Sequence, residues 1–481
     1  MYSKLKLFIL FCFFATVTQA QEKWNLRRCV QYALDNNISI KQNEIQAQLA
    51  GLTYEQSKLS KLPTANFSNN EGYRFGKSQN PSTGILENQN FFQIGLNLQS
   101  SVTIFNWYSK RNTILANEWS LQAAKAATDK LKNDIALTVA NSYLQVLLAR
   151  EQEKIADVQV KQSMSQLDIV NKQVNAGALP ELNAVELEAQ LASDSANLIT
   201  ATGNVSQAKY VLKAYMNLDA GQLFEIDEPP ADQIPLEPIA DLQPESVYAL
   251  ALANLPQQRV NDFNLKAAQK NSLVAKGALY PTISAFGSLS TNYGYFRTPT
   301  YQQIPAGYGP SGLIVNTGGG FVNVLRPLYT NGGKNGYITS DPLGTQFSNN
   351  FGQSIGVSIS VPIFNGWQAK ANYQRSKLNI KTLEYQARLD NQTLKQDIYQ
   401  AYNAAIVAMK KFNSSQKSVD AAQKSYDFAA KRFNVGVLST LELITDQNNL
   451  FKAKLQYVLN QFDYVFKMKV LEFYRGQGLK L

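Results

Sequence analysis

Two periods of apolar residues run through this chain. From Phe92 to Ile104 the period is two: Phe92, Ile94, Leu96, Leu98, Val102 and Ile104 share one face, while Gln93, Gly95, Asn97, Gln99 and Thr103 share the other. Ile355, Val357, Ile359, Val361 and Ile363 alternate in the same way with Ser354, Gly356, Ser358 and Ser360. Ala65, Phe67, Tyr73 and Phe75 indicate a third strand, and Ile283, Ala285 and Leu289 a fourth. Segments of about ten residues, apolar on one side and polar on the other, have the pattern of strands in a membrane barrel. Elsewhere the period is close to four. Leu131, Ile135, Val139 and Tyr143 recur in a proline-free stretch from about Ser109 to Val174, and Leu394, Ile398, Tyr402 and Ala405 in another from about Gln368 to Asn434. A helix of about 65 residues extends about 100 Å. That exceeds a globular helix, so a coiled coil or the wall of a tube is expected.

The two periods occur twice in the same order. Ala33-Leu34, Asn36 and Leu62-Pro63-Thr64 correspond to Ala251-Leu252, Asn254 and Tyr280-Pro281-Thr282. Val102-Thr-Ile-Phe-Asn106 corresponds to Val361-Pro-Ile-Phe-Asn365, and Asn175-Ala-Gly-Ala-Leu179 to Asn434-Val-Gly-Val-Leu438 at the same separation. The chain is therefore expected to be an internal duplication. One repeat covers residues 21–228 and the other 245–481. Between them, residues 229–244 hold Pro229, Pro230, Pro235, Pro238 and Pro244, a density that stops helices. The second repeat is longer, and its extra residues fall in 296–350, rich in Gly, Tyr, Asn and Pro. That stretch is expected as an extended inter-strand loop serving as a plug, lid, surface contact or mobile connection.

The first 20 residues read as a secretory signal peptide. Lys4 and Lys6 precede an apolar run from Leu7 to Val17, and Thr18-Gln19-Ala20 offers a cleavage site ahead of Gln21. No later run of about 18 apolar residues suggests a spanning helix. Of the 2 cysteines only Cys29 lies beyond the leader, which leaves no intramolecular disulfide. The count of His is 0, which removes the Ser-His-Asp triad and every His-containing zinc site. With no phosphate-binding Gly loop and no paired-cysteine motif, neither cofactor nor metal is expected; of enzymes, a periplasmic carboxylate enzyme such as a glycosidase stays open, though no convincing acid pair stands out. The net charge of +10 falls by two without the leader lysines. Lys and Arg are scattered along the long helices rather than clustered with aromatics, so no nucleic-acid partner is expected.

Aromatic residues collect at the strand ends: Tyr73, Phe75, Phe91, Phe105, Trp107, Tyr108, Tyr293, Tyr295, Phe364 and Trp367. They read as girdles at the two interfaces of outer-membrane lipid; the other reading is the core of a water-soluble sandwich. Four strands do not close a barrel, and open edges are not tolerated in lipid, so several chains must share one barrel. Gly177 and Gly436 stand where long helices end, as a left-handed cap requires, and Pro180 stands where the next helix begins. Each repeat then carries a helical hairpin whose tip is Gly177, Ala178 and Leu179, or Val435, Gly436, Val437, Leu438 and Ser439. Val435, Val437 and Leu438 are expected to be exposed, and exposed apolar tips suggest a partner.

With its leader, its duplication, Leu62-Pro63, Val361-Pro-Ile-Phe-Asn-Gly366 and Asn434-Val-Gly-Val-Leu-Ser439, the chain resembles the TolC-like outer-membrane efflux channels over essentially its whole mature length. The resemblance implies an α+β membrane protein that assembles as a homotrimer. Four strands per chain would form one 12-stranded β-barrel continuous with a 12-helix periplasmic α-barrel. It also implies tips that dock a periplasmic adaptor, and an inner-membrane pump of the resistance-nodulation-division or ABC type. The expected function is a passive export duct of a tripartite efflux or type I secretion system, without enzymatic activity. The alternative is a structural or adhesive surface protein with a helical stalk. In the family, acids six and nine residues after the second tip glycine narrow the lumen. Here those places hold Glu442 and Thr445, with Asp446 one later. Glu442 and Asp446 would form an acidic gate; the competing reading of Glu442 is a helix-start acid that complements the dipole. A family latch between a Tyr before that glycine and an Arg after it has no counterpart, because Phe433 and Leu438 occupy those places.

Overall fold

The computed structural model describes residues 23–79, 86–88 and 90–476; the expected leader lies outside them. In the first half, α1 (Leu26–Asn36) and α2 (Ile38–Leu59) precede β1 (Thr64–Arg74), β2 (Lys77–Gln79), β3 (Leu86–Asn88) and β4 (Phe91–Phe105), followed by α3 (Ser109–Asn175) and α4 (Glu181–Met216). The proline-rich segment makes only two short 3-10 turns. The second half runs α5 (Pro244–Asn254), α6 (Pro256–Gly277), β5 (Thr282–Tyr295), β6 (Arg297–Asn316), β7 (Phe321–Thr339), α7 (Leu343–Asn349), β8 (Gly352–Ser360), α8 (Gln368–Asn434) and α9 (Thr440–Tyr474). The helices α3 and α8 have 67 residues each. The chain divides into two compact units, one built on Gln56–Thr113 and Leu273–Tyr373 and the other on the remaining segments, so both halves contribute to each.

The first unit holds an antiparallel sheet in the order β1-β4-β5-β8. Phe67 pairs with Leu98 and Leu98 with Leu289, which sets these apolar residues side by side across three strands. Ile355, Val357 and Ile359 extend the same face on β8, opposite Gly287, Ala285 and Ile283. Asn97, Gln99, Ser288 and Ser358 lie on the other face, as period-two alternation requires. The apolar face is bare in the single chain: Ile355 is 93% and Val357 63% exposed. Val361 and Ile363 do not continue the strand as expected. β8 ends at Ser360, and Pro362 beyond it has no N–H for a ladder.

The 296–350 connection is structured rather than a loop. β6 and β7 pair as a long antiparallel ribbon, so the unit has more than the four expected strands. The helix α7 then packs along the end of β5. Gly294 N donates to Gln346 Oε1 at 3.0 Å, and Gln346 Nε2 donates back to Gly294 O at 3.0 Å. One side-chain amide thereby makes both bonds of an antiparallel bridge. Asn350 Nδ2 adds a bond to Asn292 O at 2.7 Å. β8 pairs with β5 only as far as Ser290, where it meets Gly352.

The second unit is helical and has three apolar clusters. In the first, Tyr143, Val139 and Leu147 of α3 pack with Cys29, Leu212, Met216 and Phe224. Tyr143 Oη donates to Asp227 O at 2.5 Å, which ties α3 to the start of the proline-rich segment. The second gathers Ile398 and Ala405 of α8 with Val247, Met468 and Leu471. The third lies at the helical tips: Val170, Ala184, Leu187 and Ile444, with Leu179 and Phe433 packed against them. Much of the remaining buried surface of α3 and α8 is alanine, including Ala123, Ala126, Ala140, Ala408 and Ala429. Small side chains let neighbouring helices approach closely.

Candidate functional site: sheet faces and helical tips

Two aromatic groups mark the two ends of the sheet. At the end away from the long helices, Tyr73, Phe92 and Tyr295 are register partners on β1, β4 and β5. The rings of Tyr73 and Phe92 are 5.1 Å apart, and Phe75 stacks on Tyr73 at 6.3 Å. Tyr293 meets Phe347 edge-on at 6.5 Å. Phe91 is buried, with the Arg74 guanidinium 5.9 Å from its ring. At the other end Phe105 lies 5.5 Å from Trp107 and 5.7 Å from Tyr108, while Trp107 lies 4.6 Å from Tyr280. Phe364 and Trp367 are exposed just beyond β8.

The chain turns sharply where β4 and β8 hand over to the long helices. Trp107 and Tyr108 have φ of 50° and 61° ahead of α3, and Gly366 and Trp367 have φ of 61° and 63° ahead of α8. Two consecutive left-handed residues redirect the backbone. Asn106 and Asn365 support the turn: their carbonyls accept from Ser109 N at 3.0 Å and Gln368 N at 3.2 Å. The Phe-Asn pair shared by the two motifs thus marks a turn.

The polar face carries one residue that the alternation did not single out. Phe286 of β5 stands among Ser284, Ser288 and Ser290, opposite Gly356. A signal was present in the sequence, an aromatic out of phase with its strand.

Both tips close through the same capping geometry. Gly177 N donates to Val174 O at 2.9 Å and Ala178 N to Gln173 O at 2.8 Å. Gly436 N donates to Phe433 O at 2.9 Å and Val437 N to Arg432 O at 2.9 Å. This is a Schellman arrangement, and φ of 74° at Gly177 and 75° at Gly436 makes glycine the fitting residue. Val435 is 73% and Val437 65% exposed. Leu438, expected to be exposed, is half-buried. It stands just before the N-cap Ser439, the place from which an apolar residue covers the first turn, and Leu443 below it is buried. Leu179 is likewise half-buried, and Ala178 is exposed.

Glu442 and Asp446 have different surroundings. Ser439 and Glu442 form a capping box: Glu442 N donates to Ser439 Oγ at 3.2 Å, and Ser439 N donates to Glu442 Oε2 at 3.1 Å. The bond from the Ser439 backbone, with a second from its hydroxyl, holds the Glu442 carboxyl below the usual carboxylate range. Asp446 is half-buried and accepts from Ser425 Oγ of α8 at 3.1 Å. The Ser-x-x-Glu spacing announces such a box in the sequence. A further polar node joins α3, α4 and α9. Ser163 Oγ and Gln190 Nε2 donate to the buried Asp194 at 2.6 and 2.8 Å, and Gln447 Nε2 donates to Ser163 Oγ at 2.9 Å. No sequence spacing pointed to this node, because its members come from three separate helices.

An antiparallel sheet with a bare apolar face, whose strands lead into paired helices of this length, defines an outer-membrane export duct. The chain belongs to the outer membrane efflux protein family, whose model matches residues 29–218 and 247–467. It is similar to outer membrane protein TolC of Escherichia coli, with 21% identity over 94% of this chain and 81% of that protein. It is also similar to nodulation protein T of Rhizobium leguminosarum, with 21% identity over 89% of this chain and 77% of that one. Among solved structures, the CmeC outer membrane channel of Campylobacter jejuni matches with a TM-score of 0.69 at 19% identity, covering 95% of this chain and 87% of that chain. The outer membrane protein VceC of Vibrio cholerae matches with a TM-score of 0.70 at 14% identity, covering 94% and 96%. The protein is an efflux channel of the outer membrane.

Proposed function

We propose that three copies of this chain assemble into one conduit. The observation that carries this reading is the sheet itself. Its apolar face is exposed, and β1 and β8 each keep one edge without a partner strand among the described residues. In lipid such edges must be paired, and three copies joined β8 to β1 give a closed barrel of twelve strands. That is wider than the roughly eight strands that side chains fill, so a lumen remains. The aromatic groups at the two sheet ends then sit at the two interfaces of the membrane. The strand ends that lead into α3 and α8 face the periplasm, and α3, α4, α8 and α9 contribute to a tube of twelve helices. Substrates pass through without chemical change, delivered by an inner-membrane pump of the resistance-nodulation-division or ABC type. The exposed Val435 and Val437 meet the periplasmic adaptor. Glu442 and Asp446 narrow the lumen near the tips as an acidic ring.

Two experiments test this. Native mass spectrometry in detergent is expected to give a trimer, and a monomer would overturn the assembly. Val437→Asp is expected to abolish export while leaving trimer yield intact. Normal export by that variant would remove the tip from adaptor docking.

A further inference from the structure

The ribbon of β6 and β7 pairs with no other strand among the described residues. From Arg297 to Ser340 the sequence contains Arg297, Arg326 and Lys334 and no Asp or Glu. Near its turn the ribbon is apolar on both faces. Pro310 pairs with Leu325 and Asn316 with Phe321, which puts Leu325 and Phe321 on one face. Val315 pairs with Val322, and Leu328 shares that opposite face. Phe321, Leu325, Val322 and Leu328 are all exposed.

A ribbon apolar on one face needs one partner surface. A ribbon apolar on both needs a medium around it, or a copy on each side. Charge decides between these. Three cations with no acid repel a second ribbon and attract an anionic layer. Bare hydrocarbon does not fit either, because the ribbon's outer edges present N–H and C=O groups that lipid tails leave unsatisfied. A headgroup layer supplies both needs: acyl carbon beside the apolar side chains, and water and phosphate along the edges. Tyr301, Tyr329 and Tyr337, all exposed, belong to the residue type that settles at this depth.

We propose that the ribbon of β6 and β7 lies in the headgroup layer of the outer leaflet and binds anionic, phosphate-bearing lipid there. The inference rests on the proposed orientation, which puts the β5–β8 connection on the outer side. Each Lys or Arg near an anionic surface contributes about 1 kcal/mol, so neutralising three lowers affinity on the order of a hundred-fold.

The test uses the full-length trimer. Cys29 is buried, so Phe321→Cys gives one accessible thiol for an environment-sensitive dye. The labelled trimer is placed in phosphatidylcholine vesicles with and without lipid A, and also titrated with lipid A in mixed micelles. The expected result is a blue shift and protection from iodide in the lipid A vesicles. Adding Arg297→Gln, Arg326→Gln and Lys334→Gln should weaken the titration on the order of a hundred-fold. A dye open to iodide in both membranes overturns the proposal, as do disulfides formed between the introduced thiols of two copies. Conductance is recorded on the same samples: a conducting trimer with an iodide-accessible dye defeats this inference alone, whereas a sample that never conducts defeats the channel reading.

Discussion

The ring of Phe286 lies so close over Gly356 that a Cβ at position 356 would stand 2.7 Å from its Cζ. The pair sits on the polar face of the sheet, which lines the lumen of the proposed barrel. Three copies would place three rings there. Phe286→Ala is expected to raise single-channel conductance in a planar bilayer. Gly356→Val is expected to change it as well, by driving the ring from its seat. If both variants conduct like wild type, the ring takes no part in a constriction.

The left-handed turn before α3 gives a prediction about stability. A non-glycine residue in this region costs about 1–2 kcal/mol. Trp107→Ala and Trp107→Gly both remove the ring that packs on Phe105 and Tyr280. Only the alanine keeps the backbone penalty, so the glycine variant should be the more stable by about 1 kcal/mol. Gly366→Ala should lose a similar amount. Denaturant melts of the four proteins compare these directly, and equal stability of the two Trp107 variants would show that the turn is unstrained.

The long helices were legible to within a residue because nothing interrupts their period and no proline falls inside them. The four strands of the main sheet were legible wherever alternation held. The ribbon of β6 and β7 was not. Register shifts near Tyr301, between Pro305 and Tyr308 and between Pro310 and Ile314 break its alternation, and frequent Gly and Pro imitate a loop. The bridge made by Gln346 was invisible for another reason: a side chain takes the place of a strand. At the tips, the family's acid spacing drew attention to charge, while Ser439 and Glu442 also spell out a helix cap.

That cap separates the two proposed gate acids. The Glu442 carboxylate already accepts from Ser439, whereas Asp446 is held by one hydroxyl from Ser425. Asp446→Asn should therefore reduce cation preference and trivalent-cation block more than Glu442→Gln, and the double variant should reduce them most. The effect should shrink as salt rises, since charges facing water are screened. Reversal potentials at low and high salt decide this; curves that do not change in any variant would locate the constriction elsewhere.

Burial pushes the Cys29 thiol up to about 12 from an ordinary value of 9.0. The unfolded chain gives up this proton near pH 9, and the folded chain keeps it until about pH 12. The unfolded state therefore binds fewer protons across that window, and stability falls as pH rises through it. The full term is roughly 4 kcal/mol. Cys29→Ala removes it, so the variant's stability should decline less steeply between pH 9 and pH 12. The thiol should also resist alkylation until the protein unfolds. Parallel alkaline profiles for both proteins would show that this thiol titrates alike in the folded and unfolded states.

Gln346 and Asn350 occupy backbone groups of β5 just beyond the last residue that β8 pairs with. An advance of β8 by two residues would keep its apolar side chains on the correct face and so meet no penalty from the pattern. It would, however, bring Gly352 opposite Asn292 and displace the Asn350 amide from Asn292 O, and a further advance of two would meet Gln346 at Gly294. The short helix α7 is thus a stop for the β5–β8 register. It turns a slip that the alternating sequence tolerates into one that breaks hydrogen bonds, and so fixes the stagger between β5 and β8.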